Sequence, residues 1–464
     1  MIDKVIFDVF CVSTFKRMVT RLSRLLTITV AVCAVVYVLL LRSTVDTSKF
    51  ENGWRPASYS IHPNMTLDPR PLQKSRLIGN RIPDMLLHLE NTSSFMISDS
   101  YARLVANPVP HQSFTLTQWD RQEDYTGHDD THQCLYSTCR IVTNKSVNTD
   151  GYIFNLRGGN TWPPLPNLTE KISILLMTES PVNTFGFARA QTELPFDVSL
   201  TYRWDSDALF VYGIAQLRAE PLPFLPDFAV NKSKGAFWAV SNWSGRRFNV
   251  YRELSRLIEI DIIGAMSWMN GFKRSFYWSN VCEKENNEYG DCLNDKNIRV
   301  IDNCETRQGA YFKCMGDFAN DYWFYLAFEN SECDQYISEK PWHALSLGSV
   351  PIVLGGLSPA EYSEVLPPRS FIHVDDFEST EELAEYLKYL MRNPHAYNEY
   401  HEWRRFYEPF QPSLTGNYSK WCHLCDVVAQ KKYNNDFYRQ TVGDWWFGKN
   451  GNSTCRPVVP TRNF

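Results

Sequence analysis

The chain has 464 residues, 44% hydrophobic and 14% aromatic, enough to bury a sizeable core in two or three units at about 150 residues per domain. A formal net charge of −5 argues against a nucleic-acid partner as a property of the whole protein. Its 14 Trp and 24 Tyr include enough flat amphipathic surface to pack against sugars, although most such residues serve an ordinary core.

The N-terminus carries Lys4, Lys16, Arg17, Arg21 and Arg24, then an uncharged apolar run from Leu25 to Leu41. That run is at the short limit for a membrane helix. It exceeds the usual core of a signal peptide and lacks a small-x-small cleavage site, which favours an uncleaved anchor over a cleaved signal. The basic residues before the run outnumber Arg42 and Lys49 after it, so residues 1–24 are expected in the cytosol and the body in a lumen. A lumenal body agrees with sequons at Asn64, Asn91, Asn144, Asn167, Asn231, Asn417 and Asn452. Asn242 completes a further sequon, inside a motif where a glycan would crowd a ligand, and is expected to be unmodified. Cysteine usage fits the same compartment, because ten of the 12 cysteines follow the run. Residues 42–105, rich in Pro, Ser, Asn and Arg without sustained periodicity, read as a stem.

From about residue 106 apolar runs alternate with helical patterns. Residues 151–156, 172–178, 208–213, 235–241, 258–264, 324–328 and 350–355 read as buried strands, and 247–257 and 381–391 as helices. Alternation of this kind predicts an α/β fold with parallel sheets. The Pro-rich stretch Pro221–Phe228 divides it into an N-terminal Rossmann-like domain (106–228) and a C-terminal one (229–408), facing a cleft, with a cysteine-containing tail over 409–464. Ligands of such sheets gather at the carboxyl ends of the strands.

FYLAFENSECDQYISEK (324–340) delivers Glu329 and Asn330 to a strand end, and Ser338 reads as the N-cap of a helix that opens on Glu339 and Lys340. Pro341 is tolerated in that first turn, and Gly348 marks the exit. A helix start with an added cation is an anion site. AVSNWSGRRFNVYREL (239–254) repeats the device, with Arg246 and Arg247 opening the next helix. Two basic helix starts at neighbouring strand ends would clamp a diphosphate, whereas either one alone is better read as surface charge.

Together with LLMTESPVNTFGF (175–187), LTYRWDSDALFVYG (200–213), SFIHVDDFEST (370–380) and the late Cys422-His-Leu-Cys425, these stretches resemble the α1,3-fucosyltransferases of glycosyltransferase family 10 in order and over nearly the whole body. The length from Lys340 to Val350 is that of plant core-type members, so the resemblance is to an invertebrate-like or plant-like member. It implies a two-domain glycosyltransferase B fold that moves fucose from GDP-fucose, with inversion, to the 3-hydroxyl of GlcNAc in a glycoprotein glycan. By motif position it implies that Arg247 and Lys340 hold the pyrophosphate. Asn330, Tyr336 and Glu339 would hold ribose or fucosyl hydroxyls, and Glu179 would act as catalytic base toward the acceptor. It further implies a Golgi membrane location, no required cofactor with a divalent cation at most stimulatory, and a homodimer as an allowed assembly.

Three features point elsewhere. Asp205-Ser-Asp207 has the form of a metal-binding DxD motif, yet it falls in a family element that is not a ligand set. His128 and His132 are spaced as ligands but sit in a polar stretch, and Cys422/Cys425 is half of a zinc pattern that is better read as disulfide chemistry. Transfer to protein Ser/Thr and a catalytically inactive, lectin-like scaffold are the alternative functions. Retention of Glu179, Arg247, Glu339 and Lys340 argues against the scaffold.

Overall fold

The computed structural model describes residues 48–59, 108–119, 137–143, 148–155, 169–188, 193–210, 212–218, 220–240, 245–263, 299–301, 315–316, 319–411, 421–447 and 455–456. The expected anchor at 25–41, the histidines at 128 and 132 and every sequon except Asn231 lie outside them. Among the described residues no helix is long and apolar enough to cross a membrane. Asn231 is exposed in a turn. The chain forms two compact units, Met1–Trp54 and Arg55–Phe464. In the first, Ser48–Glu51 makes one helical turn, with the Lys49 ammonium 4.6 Å from the Trp54 ring centre.

The second unit contains two six-stranded sheets. The strands of its first half are β1 (Gln112–Gln118), β2 (Ser137–Val142), β3 (Gly151–Asn155), β4 (Ile172–Met177), β5 (Pro195–Phe196), β6 (Val198–Thr201), β7 (Ala208–Leu209) and β8 (Ile214–Leu217). Those of the second half are β9 (Lys234–Ala239), β10 (Ile260–Ile263), β11 (Arg299–Ile301), β12 (Tyr322–Phe328), β13 (Val350–Leu354), β14 (Ile372–His373), β15 (Tyr407–Phe410) and β16 (Gln440–Thr441). One sheet runs β2-β1-β3-β4-β6-β7 and the other β11-β10-β9-β12-β13-β14. Every pairing within these sheets is parallel. The expectation of an α/β fold with two parallel sheets is met. In the second sheet the strand order reverses between β9 and β12, the place where such sheets bind ligands. All seven residues of β12 are buried, as a central strand covered on both faces requires.

Helices from the residues expected to form a C-terminal tail cover both faces of the first sheet. Leu424, Val427 and Val428 of the Cys422–Asn434 helix pack with Phe114, Leu116, Ile174, Leu176, Val198 and Leu200, all on one face. Val442 and Trp446, from the Val442–Trp446 helix, pack with Phe154, Leu175 and Met177 on the other. Both cysteines of the late pair are disulfide-bonded, Cys425 to Cys139 of β2. β15 pairs with β8 and β16 with β5, both antiparallel, as two separate two-stranded ribbons outside the six-stranded sheets.

Of the run expected as a strand over 208–213, only Ala208–Leu209 join the sheet. The chain then turns. The Tyr212 hydroxyl donates to the Thr178 carbonyl, and Gly213 lies flat against the indole of Trp342, where any Cβ would overlap the ring. Trp342 is fully buried in the Glu339–Leu347 helix. Part of the expected stem is also ordered on the second unit. Ser58 and Tyr59 lie in a short 3-10 turn, Ala57–Tyr59, and bond to Asp376 and Glu399. Gly213→Ala forces either that indole or its helix to move, and overpacking of this kind costs about 1–3 kcal/mol. A lower denaturation midpoint with an unchanged denaturant slope is the expected readout.

Candidate functional site

The site begins at the carboxyl end of β12. Phe328 is followed by Glu329, whose side chain is fully buried. Its carboxylate accepts from the Ser338 amide at 2.8 Å, the Ser338 hydroxyl at 2.7 Å and the Lys340 ammonium at 3.2 Å. Ser338 occupies the N-cap position of the Glu339–Leu347 helix, as expected, but its hydroxyl makes no capping bond because it is given to Glu329. The helix therefore opens without a side-chain cap, leaving its positive end available to an anion. Gly348 closes it in the left-handed conformation, φ 73°.

Lys340 also reaches the Ser338 hydroxyl at 2.7 Å and Glu339 at 3.3 Å. Burial would lower the Lys340 pKa, but Glu329 and Glu339 outweigh it and the net shift is upward. For Glu339, burial is outweighed by Lys340 and His343, and its carboxyl is held below the ordinary range.

The second basic helix, Arg246–Leu254, leaves the carboxyl end of β9, the strand hydrogen-bonded to β12. Gly245 is its N-cap, and again no side chain caps it. Arg247 is 4% exposed and donates to the Phe328 carbonyl at 3.4 Å. Burial pulls its guanidinium down to about 10, against the opposing pull of Glu329, Tyr336 and Glu179, so it stays charged at neutral pH. Arg246 turns the other way, pairing with Asp375 and lying 3.6 Å from Glu332.

Glu179 arrives from the other sheet, two residues beyond β4 and just before the helix Pro181–Ala188. Its Oε1 accepts from the Tyr336 hydroxyl at 2.7 Å and the Asn330 amide at 2.8 Å. Ser180 and Ser331 hydroxyls meet at 2.7 Å beside it, and Asn183 donates to Ser331 at 3.0 Å. Hydrogen bonds thus join Glu179, Asn330 and Tyr336, a second set joins Glu339 and Lys340 around Glu329, and Arg247 lies close enough to Glu329, Tyr336 and Glu179 to feel their charge. Sequence reasoning did not single out Asn183 and Ser331 beside Glu179, nor Glu329 as the anchor. Only Glu329 had a signal, its place at the end of a wholly apolar strand.

Asp205 and Asp207 do not converge. Arg203 grips Asp205 with two bonds, at 2.8 and 2.6 Å. Asp207 accepts from the Ser199 amide and hydroxyl, each at 2.9 Å, and pairs with Lys431 at 2.8 Å. Among the described residues, no group of three or more His, Cys, Asp or Glu is arranged to hold a metal ion.

Residues 229–445 match the family model described as glycosyltransferase family 10 (fucosyltransferase), C-terminal. The chain is 32% identical over 302 residues to 4-galactosyl-N-acetylglucosaminide 3-alpha-L-fucosyltransferase 9 of Mus musculus, covering 63% of this chain and 70% of that one. It is 30% identical over 328 residues to glycoprotein 3-alpha-L-fucosyltransferase A of Drosophila melanogaster, covering 68% of this chain but only 56% of that protein. A crystal structure of an alpha1,3-fucosyltransferase with GDP aligns at a TM-score of 0.41 and 15% identity, over 72% of this chain and 96% of that one. With the family model lying over both basic helix starts and relatives aligned beyond it, the chain belongs to glycosyltransferase family 10, the fucosyltransferases.

Proposed function

We propose that the protein transfers L-fucose from GDP-β-L-fucose to the 3-hydroxyl of a GlcNAc residue in a glycoprotein glycan, with inversion. The observation that carries this reading is the placement of Arg247 and Lys340. They lie at two uncapped helix starts after the adjacent strands β9 and β12, with Glu179 presented from the other sheet. As the bond from fucose C1 to the β-phosphate oxygen breaks, its electron pair leaves with GDP. Arg247, Lys340 and the helix ends stabilise that charge without having to reorganise. The acceptor hydroxyl gives its proton to the Glu179 carboxylate as its oxygen bonds to C1. Asn330, Tyr336 and Glu339 are left to hold ribose or fucosyl hydroxyls.

In this reading two cations do the work of an ion, and Asp205 and Asp207 stay with Arg203, Ser199 and Lys431. A divalent cation is then at most stimulatory. The names of the relatives point to the acceptor class, a glycoprotein or a galactosyl-GlcNAc unit, and the short Lys340–Val350 segment favours the GlcNAc of an N-glycan core. The body acts in the Golgi lumen behind a single N-terminal anchor, where disulfides such as Cys333–Cys455 persist.

The direct test is mass spectrometry of transfer from GDP-fucose to core-GlcNAc, LacNAc, LacdiNAc and folded-protein acceptors. Transfer to a GlcNAc acceptor is expected and should persist in excess EDTA. Complete loss restored only by manganese would revive Asp205 and Asp207 as ligands. Glu179→Gln keeps an oxygen for Tyr336 and Asn330 but cannot take the proton. Turnover should fall about a hundred- to ten-thousand-fold at unchanged GDP affinity. Turnover within a few-fold of wild type would name another base.

Arg247→Ala removes a charge-assisted contact to phosphate and should weaken GDP binding roughly ten- to a hundredfold by calorimetry. It is a cleaner probe than Lys340→Ala, which also strips the buried Glu329 of its cation and destabilises the fold. Wild-type GDP affinity in Arg247→Ala would remove that residue from the donor site.

A further inference from the structure

We infer that residues Arg55–Tyr59 form an N-terminal strap that positions the Arg246–Arg247 helix start, making Ser58 and Tyr59 positioning residues for the nucleoside diphosphate sugar. This inference rests on the donor-site reading of Arg247 given above.

The strap is gripped at two points. Ser58, fully buried, donates its amide to Asp376 at 2.9 Å, and its hydroxyl accepts from the His373 amide at 3.3 Å. One residue on, the Tyr59 hydroxyl donates to Glu399 at 2.8 Å, and Arg55 reaches the same carboxylate at 3.4 Å. The Tyr59 ring meets the edge of Tyr400 at 5.5 Å between centres. The Arg369 guanidinium lies 4.7 Å from the Tyr59 ring centre. Arg369 itself sits in the left-handed region at φ 57°, a conformation that persists for a non-glycine residue only where the surroundings hold it.

Residues 373–376 link this grip to the donor side. His373 and Asp376 take the strap, while Asp375, lying between them, pairs with Arg246. The Asp375 amide bonds to the His373 ring at 3.0 Å, which fixes the two halves of the turn against each other. Arg246 is the first residue of the helix and Arg247 the second. A displacement of the strap therefore reaches Arg247 through one short turn and one ion pair. Composition cannot reveal this, because Arg55, Ser58 and Tyr59 lie in a polar stretch whose partners are more than 300 residues away in sequence.

The experiment uses the full-length chain with Ser58→Ala, Tyr59→Ala, Asp375→Asn and the Tyr59→Ala/Asp375→Asn pair. GDP affinity, donor KM, acceptor KM, kcat and thermal midpoint are measured for each. Each strap variant should raise the GDP Kd and donor KM about three- to tenfold, the effect of a lost hydrogen bond, leaving kcat and acceptor KM within about twofold. The double variant should lose less affinity than the product of the single losses, because both changes act through one path. Unchanged GDP affinity in both strap variants, or losses that simply multiply, would overturn the strap while leaving the donor site standing. A wild-type chain that binds no GDP would overturn both. If Tyr59→Ala lowers the melting point substantially, Tyr59→Phe and Ser58→Ala, which preserve the strap's bulk, decide the matter by the same criteria.

Discussion

The buried carboxylate of Glu329 is the constraint on which the donor side rests. A lysine in the first turn of a helix is opposed by the helix dipole, and burial opposes it further. Glu329 offsets both by facing Lys340 across 3.2 Å. It also draws off the Ser338 hydroxyl that would otherwise cap the helix, and it takes the Ser338 amide as well. One side chain thus places a cation at the helix start and keeps that start uncapped. Three donors, two from the helix's own N-cap residue and one from the cation it supports, offset part of the cost of burying the carboxylate, whose pKa burial still pushes up.

A second set of contacts joins the two sheets around the proposed reacting atoms. Glu179 is held by Tyr336 and Asn330, Ser180 by Ser331, and the Trp204 amide by the Gln335 side chain at 2.8 Å. Gln335 adopts φ 62°, so the segment 330–336 contains a left-handed residue where it meets the opposite sheet. The Cys333–Cys455 disulfide ties the same segment to the end of the chain, and Arg456 donates to Glu332. The segment carrying the ligand-facing groups is braced from the first sheet and from the C-terminus at once.

The sequence was most legible where burial is complete. β3, β4, β9, β12 and β13 are continuous apolar runs, and each was expected within a few residues of its place. β1 (QSFTLTQ) and β2 (STCRIV) interleave polar residues and were not read as strands, while β14 pairs through only two residues. The helices at 246–254 and 380–392 matched their periodicity. The expected site residues lie near strand ends and helix starts, which local pattern makes legible, whereas the meeting of Glu179 with Asn330 and Tyr336 depends on how the two sheets pack. Ser338 shows the limit of that logic. Its cap position is local and was foreseen, whereas the diversion of its hydroxyl depends on a buried neighbour nine residues away. The strap residues lie further still from their partners.

The return of the C-terminal segment has a consequence for how the protein is made. β2 meets the helix that covers it only when Cys425, 286 residues beyond Cys139, has been synthesised. At about 5–20 residues per second, that delay is roughly a quarter of a minute to a minute. During it the face bearing Phe114, Leu116, Ile174 and Leu176 lacks its covering helix, and Trp446, which closes the opposite face, emerges later still. Vectorial synthesis therefore finishes the second sheet before the first. The N-terminal half must be shielded from aggregation until the Cys422–Asn434 and Val442–Trp446 helices arrive to cover it.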